Sequence, residues 1–250
     1  METQYFYRIY HGPDTRIRVL MNDVPFYQRA PQALAITHTN GANHLVVPGD
    51  NTITLELYEA PTHLPVIVEV TIDNNHDSPV VRLDWPALWE GLPAESAVLP
   101  FVFTAPFRAG GVSYKPAYLN APRSNFGPEG THELRQAVRD FHDAVSRGDT
   151  DAFLRLMELK SSEGMRAYEG ASAFSMGAAS QEIGAYFAKG PQVRPLDMRD
   201  LVFESRLDGR VAYVTRADWG PAIEAATPDG QRFLADLWLT RHDGEWKIFR

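Results

Sequence analysis

The spacing of the apolar residues changes once along this chain, and that change limits the folds open to it. Up to about residue 107 the apolar residues alternate or cluster in short β-branched runs: Tyr5–Tyr10, Arg16–Leu20, Thr52–Leu57, Val66–Val70 and Val98–Phe103. Turn residues separate them, at Gly12-Pro13-Asp14, Asn22-Asp23, Pro48-Gly49-Asp50-Asn51 and Asp73-Asn74-Asn75. Short strands punctuated this regularly predict an antiparallel sandwich, with the proline-bearing run at an edge because proline cannot donate to a ladder. From Thr131 the period becomes that of a helix. Leu134, Val138, Phe141 and Val145 fall at i, i+4, i+7 and i+11, one stripe of a single face.

The breakers between these regimes set the expected domain plan. Gly110-Gly111, Lys115-Pro116, Ala121-Pro122 and Gly127-Pro128 interrupt any regular element, with room for one short strand at 112–114. The plan is a β-sandwich domain over residues 1–120, a linker over 121–130 and an α+β domain over 131–250. In the last, Thr131 caps the first helix and Gly148 stops it. Asp149 or Thr150 caps a second, and a third runs from Ser180 to Lys189. The chain then ends in strands. Leu201–Arg206 and Val211–Trp219 flank Asp208-Gly209, while Arg232–Arg241 and Trp246–Arg250 flank Asp243-Gly244, and both dipeptides favour two-residue hairpins.

Hairpin register turns this into faces. Across Asp243-Gly244, Arg241 pairs with Trp246 and Leu239 with Ile248, so Phe233, Ala235, Leu237, Leu239, Trp246 and Ile248 share the concave, core side. The same count around Asp208-Gly209 puts Arg216 and Asp218 on that side with Ala212 and Val214. Tyr213, Trp219, Trp238 and Phe249 fall on the convex side as an aromatic patch, read as an interface for a protein partner or a second copy.

Two resemblances follow from these residues. Helix, Arg147-Gly148-Asp149, helix, then hairpins ending Arg241-His242-Asp243-Gly244-Glu245-Trp246-Lys247-Ile248 resembles the NTF2-like (SnoaL-like) superfamily. It implies a cone: helices packed on a curved antiparallel sheet around a pocket. The family places a strand between its second and third helices, where Ser161–Ser180 here reads as helical or irregular. Arg16–Pro25 with Leu45–Leu55 resembles jelly-roll and immunoglobulin-like accessory modules, including galactose-binding-like domains of sugar enzymes.

Composition narrows the function classes. The chain carries a formal charge of −8, and residues 1–120 (7 basic, 12 acidic) and 121–250 (17 and 20) are both acidic. That disfavours nucleic-acid binding by bulk electrostatics. There is no cysteine, which removes disulfides, thiolate zinc sites and cysteine nucleophiles. Met1–Tyr10 lacks the charged head and apolar run of a signal peptide, and no uncharged apolar stretch is long enough to span a bilayer, so a cytoplasmic location is expected. His38, His44, His63 and His76 with Asp73, Asp77 and Asp84 show no ligand spacing, so neither a metal nor another cofactor is expected.

What remains is a binding or interaction protein, of which immunity-type proteins are one form in the resembling superfamily. The runner-up is a small-molecule isomerase, cyclase or hydrolase with Asp218 as acid or base in the cone beside Arg216. A carbohydrate-binding module is a third reading, carried by the N-terminal resemblance alone. An ion pair of Arg216 with Asp218 at the rim of the cone is preferred to a catalytic pair.

Overall fold

The computed structural model describes residues 3–60, 64–85, 87–90, 99–168 and 176–250. The chain divides into two compact units, Met1–Pro116 and Ala117–Arg250.

The first unit holds strands β1 (Tyr5–His11), β2 (Arg16–Met21), β3 (Val24–Arg29), β4 (Ile36–Gly41), β5 (Gly49–Glu59), β6 (Val66–Ile72), β7 (Val81–Trp85) and β8 (Phe101–Ala109), with a one-turn helix α1 (Ala87–Glu90). They form two four-stranded antiparallel sheets, ordered β4-β1-β6-β7 and β3-β2-β5-β8. Val98, the first residue of one expected strand, lies outside the described residues, Pro100 precedes the strand, and β8, which starts at Phe101, is an edge strand that carries a different proline, Pro106, opposite Thr52. No strand forms at 112–114, although Val112 and Tyr114 are buried.

The two turn motifs singled out in the sequence touch each other. Asn22 and Asp23 both adopt positive φ, which fits a tight hairpin between β2 and β3. The Asn22 amide donates to Asn51 Oδ1 at 2.8 Å and to the Leu45 carbonyl at 3.1 Å. The Asn51 amide in turn donates to the carbonyls of Val47 and Gly49. Asn51 is buried, so the motif spends its amides on holding loops.

Charge is also built into the fold. Glu69 on β6 is fully buried between Arg8 on β1 and Arg82 on β7, its cross-strand neighbours, at 2.7 and 2.5 Å. His11 at the end of β1 is buried too. Its Nδ1 donates to the Gly12 carbonyl at 3.0 Å, which leaves Nε2 to accept the Tyr27 hydroxyl at 2.8 Å. Burial lowers the His11 pKa, with the Gly12 bond opposing and Arg29 assisting, and burial raises that of Tyr27 to about 12.

The second unit opens with a 3₁₀ turn at Ala117–Asn120, followed by α2 (His132–Arg147), α3 (Thr150–Leu156), α4 (Glu158–Ala167) and α5 (Met176–Ala188). Strands β9 (Gln192–Val193), β10 (Leu201–Arg206), β11 (Val211–Arg216), β12 (Ile223–Ala226), β13 (Arg232–Ala235), β14 (Leu237–His242) and β15 (Glu245–Ile248) complete it. The α2 caps are those expected. The Thr131 hydroxyl accepts the Leu134 N–H, and Gly148 closes the helix in the left-handed conformation. Leu134, Val138, Phe141 and Val145 are all buried. Asp149 caps α3 by accepting the Ala152 N–H. The stretch expected to be helical or irregular is helical as far as Ala167 and again from Met176.

Two expected strands are shorter than their alternation. Arg232–Arg241 breaks at Asp236 because its halves join different sheets: β13 pairs with β12, and β14 pairs with β11. Asp236 marks that corner and accepts the Tyr213 hydroxyl at 3.1 Å. Val211–Trp219 stops at Arg216, where the chain turns. The larger sheet runs β10-β11-β14-β15, with Leu239↔Ile248 and Arg241↔Trp246 in register as expected.

Residues 121–130, expected as a linker, lie within the second unit and cover the exposed edge of β10. Pro128 O accepts the Phe203 N–H, Ser124 N–H donates to Gly209 O, and the Phe126 ring meets Trp246 edge-on at 5.6 Å. Gly209 is required there: a Cβ would sit 2.2 Å from the Ser124 carbonyl oxygen. A disordered linker would leave this edge open for pairing with another chain. Among the described residues no helix is long and apolar enough to cross a membrane.

Two outcomes are expected. A fragment of residues 117–250 should unfold in one transition. Starting at residue 131 instead removes Tyr118 and Phe126 and should cost about 3–6 kcal/mol in urea denaturation, at roughly 1.5–3 kcal/mol per buried ring. Equal stability of the two fragments would make residues 117–130 passive. For His11, a folded pKa below 6.5 means that the unfolded chain takes up the proton first as pH falls. Its stabilisation is therefore complete above pH 6.5 and is lost as pH drops through the folded value. NMR titration should place its midpoint below 6.5, and a midpoint above that would refute the buried neutral ring.

Candidate functional site

The concave side of the larger sheet is where the resemblance would put a pocket. Leu201, Phe203, Ala212, Val214, Leu237, Leu239, Trp246 and Ile248 point there and are buried against α2, α3 and α5 in one core cluster. The interior contains a connected set of rings. Phe153 lies 5.3 Å from Phe141, 5.7 Å from Phe187 and 6.0 Å from Phe233, and Tyr186 lies 6.0 Å from both Phe187 and Phe233. These centroid spacings are those of directly packed rings.

Arg216 and Asp218 part company. Arg216 ends β11 on the concave side, with its side chain 2 % exposed. Its Nη2 donates to Pro195 O at 3.4 Å, and Nη1 stands 3.7 Å from Asp200. Burial lowers its pKa, the neighbouring Arg194 adds to this, and Asp200, Asp218 and Glu224 oppose it. Asp218 is not on the concave side. With β11 finished at Arg216, residues 217–219 turn, and Trp219 takes a positive φ. Asp218 is 61 % exposed, accepts the Gly220 N–H at 2.9 Å, and stands 3.7 Å from Arg194. Its ion pair is therefore with Arg194, and Arg216 feels its charge only at longer range, because hairpin alternation cannot be extended through a turn. Arg194 also reaches Glu224, which pairs with Arg232, so the rim carries cations and carboxylates in alternation.

The convex aromatic patch is covered within its own unit. Phe249 is buried, with the Tyr118 ring 5.0 Å away. Trp238 lies between Tyr213, at 5.1 Å, and the Arg250 guanidinium, at 5.0 Å, and Tyr213 is itself buried. Trp219 belongs to the turn after β11. The patch reads as exposed in sequence because Tyr118 sits in the stretch just before the expected linker. Near it, burial and then Arg250 lower the pKa of Lys160 on α4 to about 8. Nothing in the helical pattern marks that lysine out.

A groove that sequence reasoning missed runs beside α2. Its wider part, about 440 Å³, is lined by Glu133, Gln136, Asp140, Leu156, Arg241 and residues 244–248. A second hollow of about 350 Å³ shares Asp140, Leu156 and Lys247, and continues to Arg147, Ala152 and Arg155. The signal was present: Glu133, Gln136, Asp140 and Arg147 recur at helical spacing on the flank of the apolar stripe. Trp246 is among its lining residues, with the Arg241 guanidinium 5.2 Å from the ring centroid. Among the described residues no three His, Asp or Glu side chains converge as metal ligands do; His63 lies outside those residues.

The family model of the SnoaL-like domain matches residues 134–250. No curated protein and no solved structure matches the chain. The match begins inside α2 and ends with the last residue after β15, spanning the helices, the ring cluster and both hairpins. Residues 134–250 of this chain thus resemble the SnoaL-like domains of the NTF2-like superfamily.

Proposed function

We propose that this is a non-catalytic binding protein, in which the SnoaL-like domain is a scaffold that recognises a protein partner in the manner of an immunity-type protein. The observation that carries the reading is the ring cluster. The concave side, where a substrate would react, is occupied by Phe141, Phe153, Tyr186, Phe187 and Phe233 packed on one another. An enzyme of the isomerase or cyclase kind needs an acid or base beside its substrate in a water-poor pocket. Asp218 instead faces solvent and serves the turn.

The N-terminal unit fits the same reading as a β-sandwich platform. Its two sheets meet through Tyr7 with Phe26, at 4.6 Å, and Trp85 with Phe101, at 5.4 Å. The sugar-module likeness is accounted for structurally, since Asn22 and Asn51 are used up in fixing each other's loops. An acidic, cysteine-free chain suits the cytoplasm.

The test is capture of the partner by the full chain, followed by calorimetry. Asp218→Asn should leave the affinity within about two-fold, as expected for an exposed side chain outside the contact. Native mass spectrometry should give the mass of the polypeptide alone. A stoichiometric small molecule retained on purification, or turnover of a small molecule lost about 100-fold in Asp218→Asn, would favour the enzyme.

A further inference from the structure

We propose that the groove between α2 and β15 receives an extended, acidic segment of the protein partner. This rests on the binding reading above and names the chemistry of what is bound. Three features of the groove converge on it.

The first is charge left over after pairing. Each carboxylate lining the groove is engaged: Glu133 with Arg241, Glu245 with Lys247 at 2.6 Å, and Asp140 with the Gln136 amide at 2.8 Å. Arg147 and Arg155, both exposed, have no ion pair or hydrogen bond among the described residues. The lining therefore carries four cations against three carboxylates, a surplus of one. The guanidiniums of Arg147 and Arg155 lie together at one end beside Asp140, and a guanidinium is the group best matched to carboxylates in bidentate geometry. Two cations on a chain of charge −8 are too few for a nucleic-acid backbone.

The second is a backbone edge that pairs with no further strand among the described residues. β15 is the last strand of its sheet. Phe249 N–H donates to Trp238 O at 3.0 Å, so residue 249 faces β14. Antiparallel ladders alternate, which turns residues 247 and 245 toward β14 and leaves the N–H and C=O groups of Trp246 and Ile248 pointing away from it. Both residues line the groove, and a peptide lying along it can continue the ladder. The Trp246 indole N–H is buried at the same place and has no acceptor among the described residues.

The third is length. From Glu133 to Arg147 the α2 axis advances roughly 21 Å at ~1.5 Å per residue. An extended strand covers that distance in about six residues at ~3.3 Å each. A lone small anion would fill only the arginine end.

The experiment is a titration of the isotope-labelled full chain with an end-capped hexapeptide of alternating glutamate and valine, followed by amide and indole NMR. The expected result is movement of the Trp246 indole and of the Trp246 and Ile248 amides, weakened by ~150 mM salt. The exposed double variant Arg147→Glu/Arg155→Glu should bind about ten-fold or more weakly. The lysine–valine counterpart should leave these signals in place. Three results would overturn the proposal: no movement at millimolar peptide, equal binding by the double variant, or the same shifts from glutarate alone, which would assign the arginines to a free small dicarboxylate. The groove and the binding reading fail separately. If a captured partner binds the double variant as tightly as the wild type, the protein still binds but the groove is not where it does so. A retained small molecule in the cone defeats the binding reading itself.

Discussion

The two-residue turn at Asp243-Gly244 governs the C-terminal half. Both residues take positive φ, which lets β14 and β15 pair without a bulge and fixes Leu239 opposite Ile248 and Arg241 opposite Trp246. A slip of one residue would carry Leu237, Leu239, Trp246 and Ile248 from the core to the outer face. The same register sends Trp238 and Phe249 outward, where Arg250 and Tyr118 cover them, and turns the N–H and C=O groups of Trp246 and Ile248 away from β14. Core, outer face and groove thus descend from one turn.

Local signals made much of this fold legible. The stripe from Leu134 to Val145 with its Thr131 and Gly148 caps gave α2, and the turn dipeptides gave the hairpins and their faces. What escaped was decided by pairing between distant segments. Asp236 looks like any polar residue within a strand, and only the choice of β12 by one half and β11 by the other makes it a corner. Residues 121–130 have the composition of a linker, but Phe126 finds Trp246 and the backbone finds the edge of β10. Composition registers breakers; it cannot register what they lie against.

The candidate site shows the same division. Hairpin alternation applies to Arg216, which is the last residue of β11. Alternation does not reach Asp218, which lies two residues beyond the strand's end in the turn. Arg147 and Arg155 drew no attention, since exposed arginines on a helix are ordinary until their neighbours are seen to be paired. The sequence also could not reveal that Phe141, Phe153, Tyr186, Phe187 and Phe233 pack on one another, because they come from four separate elements.

That the rings close the interior to a substrate is the central claim of the proposed function, and ring-to-ring nuclear Overhauser contacts in the purified full chain test it most directly. The account predicts strong contacts among Phe141, Phe153 and Phe233, and between Phe187 and both Phe153 and Tyr186, with no bound molecule present. Absence of those contacts, or their replacement by contacts to a molecule carried through purification, would contradict it and return the cone to the role of a substrate pocket.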